Sequence, residues 1–191
     1  FISFISTHLT ASNESHHGEC VPEKSPDIKE RQFSKEFVGT FNGKKLAYRA
    51  SLKEKILYEK DNPDIPMASF FYTEYLVGSD KNRPVIFSFN GGPGSASLWL
   101  HMGVLGPKVI KVPSDASDDG SAPYRIVDNK LSPLSDADLV FIDPIGTGYS
   151  RAVGCHEPEE FWGVSEDPKI IAEFIRRWIN DNKRWNSPRY I

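Results

Sequence analysis

Two stretches of this chain are apolar at nearly every position, PVIFSF at 84–89 and the LVFI core of DADLVFID at 136–143, and each runs straight into a glycine-rich turn. A strand with one wet face alternates apolar and polar residues, whereas an unbroken apolar run needs cover on both faces. Cover on both faces implies a layered α/β arrangement with a parallel core. The residues after the second run supply one covering layer. Ile171, Phe174, Ile175, Trp178 and Ile179 recur at helical spacing within 157–182, which predicts an amphipathic helix lying on the sheet. Asp167-Pro168 reads as its cap and first-turn proline. SPRYI at 187–191 then opens a further strand.

The first half has a different grammar. EFVGTFNGKKLAYRASL at 36–52 alternates around Asn42-Gly43, a dipeptide suited to a tight hairpin. KILYEK at 55–60, a polar turn at 61–66 and ASFFYTEYLV at 68–77 predict a second hairpin. The fold class is therefore α/β, with a mixed sheet: antiparallel strands at one side, parallel strands in the middle. SLWLHMG at 97–103 suits a short helix, and 113–123 a polar loop. Residues 1–35 are expected to be a flexible leader and 36–191 the folded domain. The polar part of that leader buries little, and its apolar start, FISFISTHLTA, reads as a signal remnant or a stray tail.

A formal net charge of −3 over 191 residues points to neither nucleic acid nor an anionic membrane as a partner. No run approaches the roughly 18 apolar residues a membrane span needs. The two cysteines, Cys20 and Cys155, are too few for a disulfide framework or a zinc site, although a bridge between them remains open. Asn13 begins a glycosylation-type triplet.

The glycine-rich turn NGGPGSAS, 90–97, admits three chemical readings. A phosphate loop needs a Lys and a Ser or Thr after its last glycine, and Ala96-Ser97-Leu98 lie beyond Ser95 instead. A dinucleotide fingerprint needs different glycine spacing, and Pro93 removes an amide that such a turn would use. An oxyanion loop after an inner strand fits, because bare backbone must approach a reacting carbonyl. IDPIGTGYS, 142–150, ends the next buried strand in the same way, and an α/β sheet builds its site where such strand ends meet.

NGGPGSAS followed about fifty residues later by DPIGTGYS resembles the serine carboxypeptidase family. HMGVLGP at 101–107 resembles its bacterial-type members more than the plant or yeast ones, and Ser88 stands where many members carry Trp. The resemblance implies an α/β-hydrolase-type sheet and a peptidase that removes C-terminal residues through an acyl-enzyme, with no cofactor and no metal. It implies that Asn90, with Gly91, binds the free carboxylate of a peptide substrate and that Gly92 gives one oxyanion N–H. Asp143, Gly146, Gly148 and Tyr149 would shape the wall beside the nucleophile, Tyr149 touching substrate and Asp143 and Gly148 acting mainly structurally. His101 is expected to pack rather than react, and Cys155-His156 to be loop.

The nucleophile turn G-x-S-x-G of such hydrolases is found nowhere in the chain. SPRYI resembles the strand that leads into it, so the Ser, Asp and His of the triad are expected beyond Ile191, with the sheet truncated before that turn. Ser95 and Ser150 are then decoys. Two rivals stay open: an acyltransferase or esterase on the same scaffold, and a non-catalytic peptide-binding remnant.

Overall fold

The computed structural model describes residues 29–91, 94–112 and 122–191. The expectations for Asn13, Cys20 and the rest of 1–28, for Gly92 and for the loop 113–121 lie outside the described residues. β1 (Gln32–Phe41) and β2 (Lys44–Tyr58) form an antiparallel hairpin about Asn42 and Gly43, with φ of 48° and 78°. Both central residues of the tight turn that matches strand twist need positive φ, which Asn and Gly tolerate best. β3 (Pro66–Leu76) returns antiparallel to β2. The alternating pattern was legible from Glu36, but β1 already begins at Gln32.

The two separate hairpins expected from the sequence are one three-stranded meander, because β2 runs unbroken for 15 residues. Its charged middle is held by partners on both sides. Arg31 Nε lies 2.6 Å from Glu54, Lys53 Nζ 2.6 Å from Glu74, and Lys55 Nζ 2.9 Å from Asp181. Lys53 and Glu54, which the two-hairpin reading left between its strands, therefore lie within β2 and pair with neighbouring residues.

β4 (Val85–Ser88) and β7 (Asp138–Ile142) are the two continuous apolar runs, and they pair in parallel. β7 also pairs antiparallel with β3, and β9 (Arg189–Tyr190) lies parallel on the other side of β4. The order across the sheet is β1-β2-β3-β7-β4-β9, with β8 (Arg151–Ala152) beside β3. This mixed, layered sheet is consistent with an α/β-hydrolase-type fold. Side chains alternate between its faces. Val85, Phe87, Val140 and Ile142 face the helix α2 (Glu166–Asp181), while Leu139 and Phe141 join Phe41, Tyr48 and Tyr75 on the opposite side. From α2, Ile171, Phe174, Ile175, Trp178 and Ile179 are all buried against the first face, each contributing roughly 1.5–3 kcal/mol.

The helix is shorter than the 157–182 span its pattern suggested. Pro158–Phe161 forms a separate 3-10 turn, closed by Glu157 and Glu160 in a reciprocal capping box. The chain then opens at Trp162 (φ −98°, ψ 134°) and Gly163 (φ 145°) before α2 begins after Ser165. Pro168 thus sits in the first turn as expected, whereas Asp167 lies inside that turn rather than at its cap. There the missing N–H of a proline costs nothing and acidic charge suits the helix dipole.

Between β4 and β7 the sequence suggested only a short helix and a loop. The helix α1 (Leu98–Leu100) is present and continues as a π-helical turn, His101–Leu105. A two-stranded ribbon, β5 (Lys108–Lys111) with β6 (Arg125–Asp128), follows it. Each ribbon strand is four residues long, too short for its pattern to stand out.

His156 links two turns in the Cys155 loop. Its Nδ1 lies 2.8 Å from Glu160 and its Nε2 3.0 Å from Glu59. Burial pulls the ring pKa down, but the Glu160 and Glu59 carboxylates more than reverse this and leave it above the ordinary 6.5. A histidine whose pKa rises on folding stabilises fully below its unfolded pKa and loses that contribution as pH climbs through the folded value. His156→Gln should accordingly cost up to about 1 kcal/mol at acid pH and almost nothing near pH 8. Thermal melts of both proteins at the two pH values check this, and an equal shift at both would rule out the ion pairs as its cause.

Candidate active site

β4 and β7 are parallel neighbours, with Ser88 opposite Phe141. Their C-terminal ends therefore deliver both glycine-rich loops to the same edge of the sheet, where α/β sheets place their sites. Phe89, Asn90 and Gly91 leave β4, and Asp143 to Ser150 leave β7.

The second loop is tightly self-bonded. Gly146 N–H donates to Ser150 O at 3.1 Å, Ser150 N–H to Thr147 O at 2.9 Å, and Thr147 Oγ1 to Pro144 O at 2.8 Å. Its glycines are required by close approach as well as by backbone angle. Gly146 has φ 84°, and a β-carbon there would sit 2.9 Å from the Trp162 indole, whose Nε1 donates to Ile145 O at 3.0 Å. Gly148 has φ 53°, and a β-carbon there would overlap the Asp143 carboxylate.

Asp143 joins the two loops. Its Oδ1 accepts the Ser97 N–H at 2.9 Å, and the Ser97 hydroxyl donates to Ile142 O. Burial pushes the Asp143 pKa up, while the Ser97 N–H acts in the opposite direction. Neither Ser97 nor Trp162 was singled out from the sequence. Ser97 does lie inside the quoted motif, whereas nothing in the sequence pointed Trp162 at Gly146.

Asn90 is half-buried, and its Oδ1 is buried without a hydrogen-bond partner among the described residues. Gly91 beside it is exposed, and Gly92 lies outside the described residues. Tyr149 stands exposed at the same edge, its ring 5.1 Å from that of Phe71. The structure thus brings Asn90, Gly91, Asp143 and Ser97 to one end of two neighbouring strands, with Tyr149 on the second loop.

The other singled-out residues have structural partners. Ser150 is fully buried, and its Oγ accepts the Phe71 N–H at 2.8 Å. His101 stacks on Phe141 at 4.5 Å and shares a 2.6 Å hydrogen bond with Tyr75, and burial holds its pKa down at about 4. Cys155 is disulfide-bonded and so is no nucleophile.

A sequence model described as serine carboxypeptidase matches residues 60–191. The chain is 32% identical to Serine carboxypeptidase-like 9 of Arabidopsis thaliana over 127 residues, 64% of this chain and 27% of that protein. It is 30% identical to Serine carboxypeptidase-like 2 of the same plant over 124 residues, 61% of this chain and 26% of that protein. The chain therefore spans about a quarter of the length of the curated relatives it matches.

Proposed function

The chain belongs to the serine carboxypeptidase family, and from that premise we propose that it is part of a serine-type carboxypeptidase whose Asn90 reads the free C-terminal carboxylate of a peptide. The observation that supports this reading is the place of Asn90, half-buried where β4 ends beside the second glycine-rich loop. Its Oδ1, without a partner among the described residues, can accept only from a donor such as a peptide N–H, and a carboxylate would be bound through the Nδ2 hydrogens. The amide offers both donors and an acceptor. Gly91 would line the same subsite, Tyr149 would contact the substrate beside the scissile bond, and the Gly92 N–H would be one of two oxyanion donors.

The G-x-S-x-G turn does not occur in these 191 residues, so on this reading the rest of the machinery would come from sequence outside them, which makes up about three-quarters of the relatives' length. β9 pairs with β4 as Arg189 with Val85 and Tyr190 with Ile86. Extending that register brings the next residues level with Ser88, beside Asn90. A nucleophile on a sharp turn after β9 would then face the glycine loop. An apolar groove of about 750 Å³ along α2 and β9 is lined by Phe89, Ile171, Ile175, Ile179 and Trp185. The disulfide at Cys155 suits an exported protein. No helix among the described residues is long and apolar enough to cross a membrane.

The test compares a blocked dipeptide with its C-terminal amide as substrates of the full-length protein. The free acid should be preferred, and Asn90→Leu should reduce kcat/KM for the acid by about ten- to a hundredfold, the worth of a hydrogen bond to a charged group. Equal turnover of acid and amide by the wild-type protein would instead favour an esterase or acyltransferase.

A further inference from the structure

We propose that Asp143 is a positioning residue: its carboxylate tethers the foot of the Asn90 loop at Ser97 to the end of β7, and so sets where that loop presents its backbone and amide to a substrate. This rests on reading the two loops as a hydrolase site. Three observations converge on it. The loop after β4 has one foot fixed by the sheet, at Ser88 opposite Phe141. Its other foot is held by a pair of hydrogen bonds to consecutive residues, Ser97 N–H to Asp143 Oδ1 at 2.9 Å and the Ser97 hydroxyl to Ile142 O. Ser97 is itself buried, which makes these contacts its anchorage rather than incidental surface bonds.

The second loop is shaped around the same carboxylate. The Asp143 N–H donates to Phe71 O at 3.2 Å, continuing the β3–β7 pairing and fixing the backbone from which the side chain projects. Gly148 folds back with φ 53° so that its bare α-carbon lies against the second carboxylate oxygen. One side chain therefore carries the register between the loop that holds Asn90 and the loop that holds Tyr149. Its property in this role is an acceptor at a fixed place, not its charge. A shift of roughly 1 Å at a reacting centre costs on the order of a hundredfold in rate even when the mutated residue is remote from the chemistry.

The experiment measures kcat and KM of the full-length protein, alongside amide hydrogen exchange at Ser97, for the wild type, Asp143→Ala and Asp143→Asn. Asp143→Ala should lower kcat by about a hundredfold with KM changed by less than about threefold, and should speed Ser97 exchange. Asp143→Asn keeps an acceptor for the Ser97 N–H and should restore most of kcat and the slow exchange. If Asp143→Ala fails to fold, Asp143→Leu fills the same space without an acceptor and carries the same expectation. Unchanged kcat in the Ala or Leu variant overturns the proposal, as does an Asn variant as impaired as Ala. A wild-type protein without peptidase turnover would defeat the functional reading alone. Ser97 exchange then decides the tether by itself: faster in Ala than in Asn supports it, and equal rates overturn it.

Discussion

Asp138→Ala is expected to destabilise the protein by about 3–5 kcal/mol, the cost of removing one partner from a buried ion pair. Asp138 begins β7 and is 1% exposed. Its Oδ1 accepts the Val77 N–H at 2.9 Å and Arg83 Nε at 3.1 Å, and its Oδ2 accepts Arg184 Nη1 at 2.8 Å. Arg184 is 3% exposed and also donates through Nε to Ser187 Oγ at 2.7 Å and through Nη2 to the carbonyl of Arg83. Lys183 takes φ 54°, and the chain leaving α2 brings Arg184 to the starts of β4, β7 and the approach to β9. Removing the carboxylate leaves two guanidinium groups without their counter-ion and the Val77 N–H without an acceptor. Arg184→Ala should cost less, because Arg83 still neutralises Asp138. The measurement is a denaturant midpoint for each variant, with Asp136→Ala as the control. Asp136 pairs with Lys44 at 2.7 Å in full solvent, and its loss should not register. Equal midpoints for Asp138→Ala and the control would mean that the buried pair does not hold the strand starts together.

That network lies at the N-terminal ends of the parallel strands, opposite the candidate site, and it marks a limit of what a sequence displays. β4, β7 and the buried face of α2 were legible because each is a local pattern of apolar residues. The site loops were legible because glycine and proline write their backbone demands into consecutive positions. The boundary of α2 was not, since Trp162 and Gly163 interrupt a stretch whose composition still suits a helix. The reason lies in distant structure: Trp162 is turned to cover Gly146 and bond Ile145. Asp138 and Arg184 meet across 46 residues, as do Ser97 and Asp143. No local periodicity joins such partners. The continuity of β2 through Lys53, Glu54 and Lys55 was hidden for the same reason, since the partners Glu74 and Asp181 belong to other elements.

Trp178→Ala should cost about 3–5 kcal/mol through lost burial alone, and Trp178→Phe separates that packing from a second role. Trp178 is 2% exposed at the centre of the α2 face, edge-on to Phe87 with ring centroids 5.2 Å apart. Its Nε1–H donates at 2.9 Å to Glu74 Oε2 in the middle of β3, and Lys53 Nζ lies 2.6 Å from the other carboxylate oxygen. Glu74 is 1% exposed. Its charge is tolerated there only because an indole from the helix and an ammonium from β2 both reach it. Phenylalanine would keep most of the apolar contact but remove the donor, leaving a buried carboxylate oxygen unpaired at a cost of about 1–3 kcal/mol. Glu74→Leu removes the acceptor for the indole, and with it the ion pair with Lys53. In a double-mutant cycle Trp178→Phe and Glu74→Leu should therefore be non-additive by at least about 0.5 kcal/mol, the threshold for residues that touch. Additive costs would mean that the helix is held by hydrophobic contact alone and that Glu74 answers only to Lys53. Non-additive costs would mean that α2 is keyed to one register on the sheet by a polar bond in an otherwise apolar layer. In that case a slip of the helix by one turn would strand Glu74, which explains how so simple an apolar face can specify a single docking of the helix.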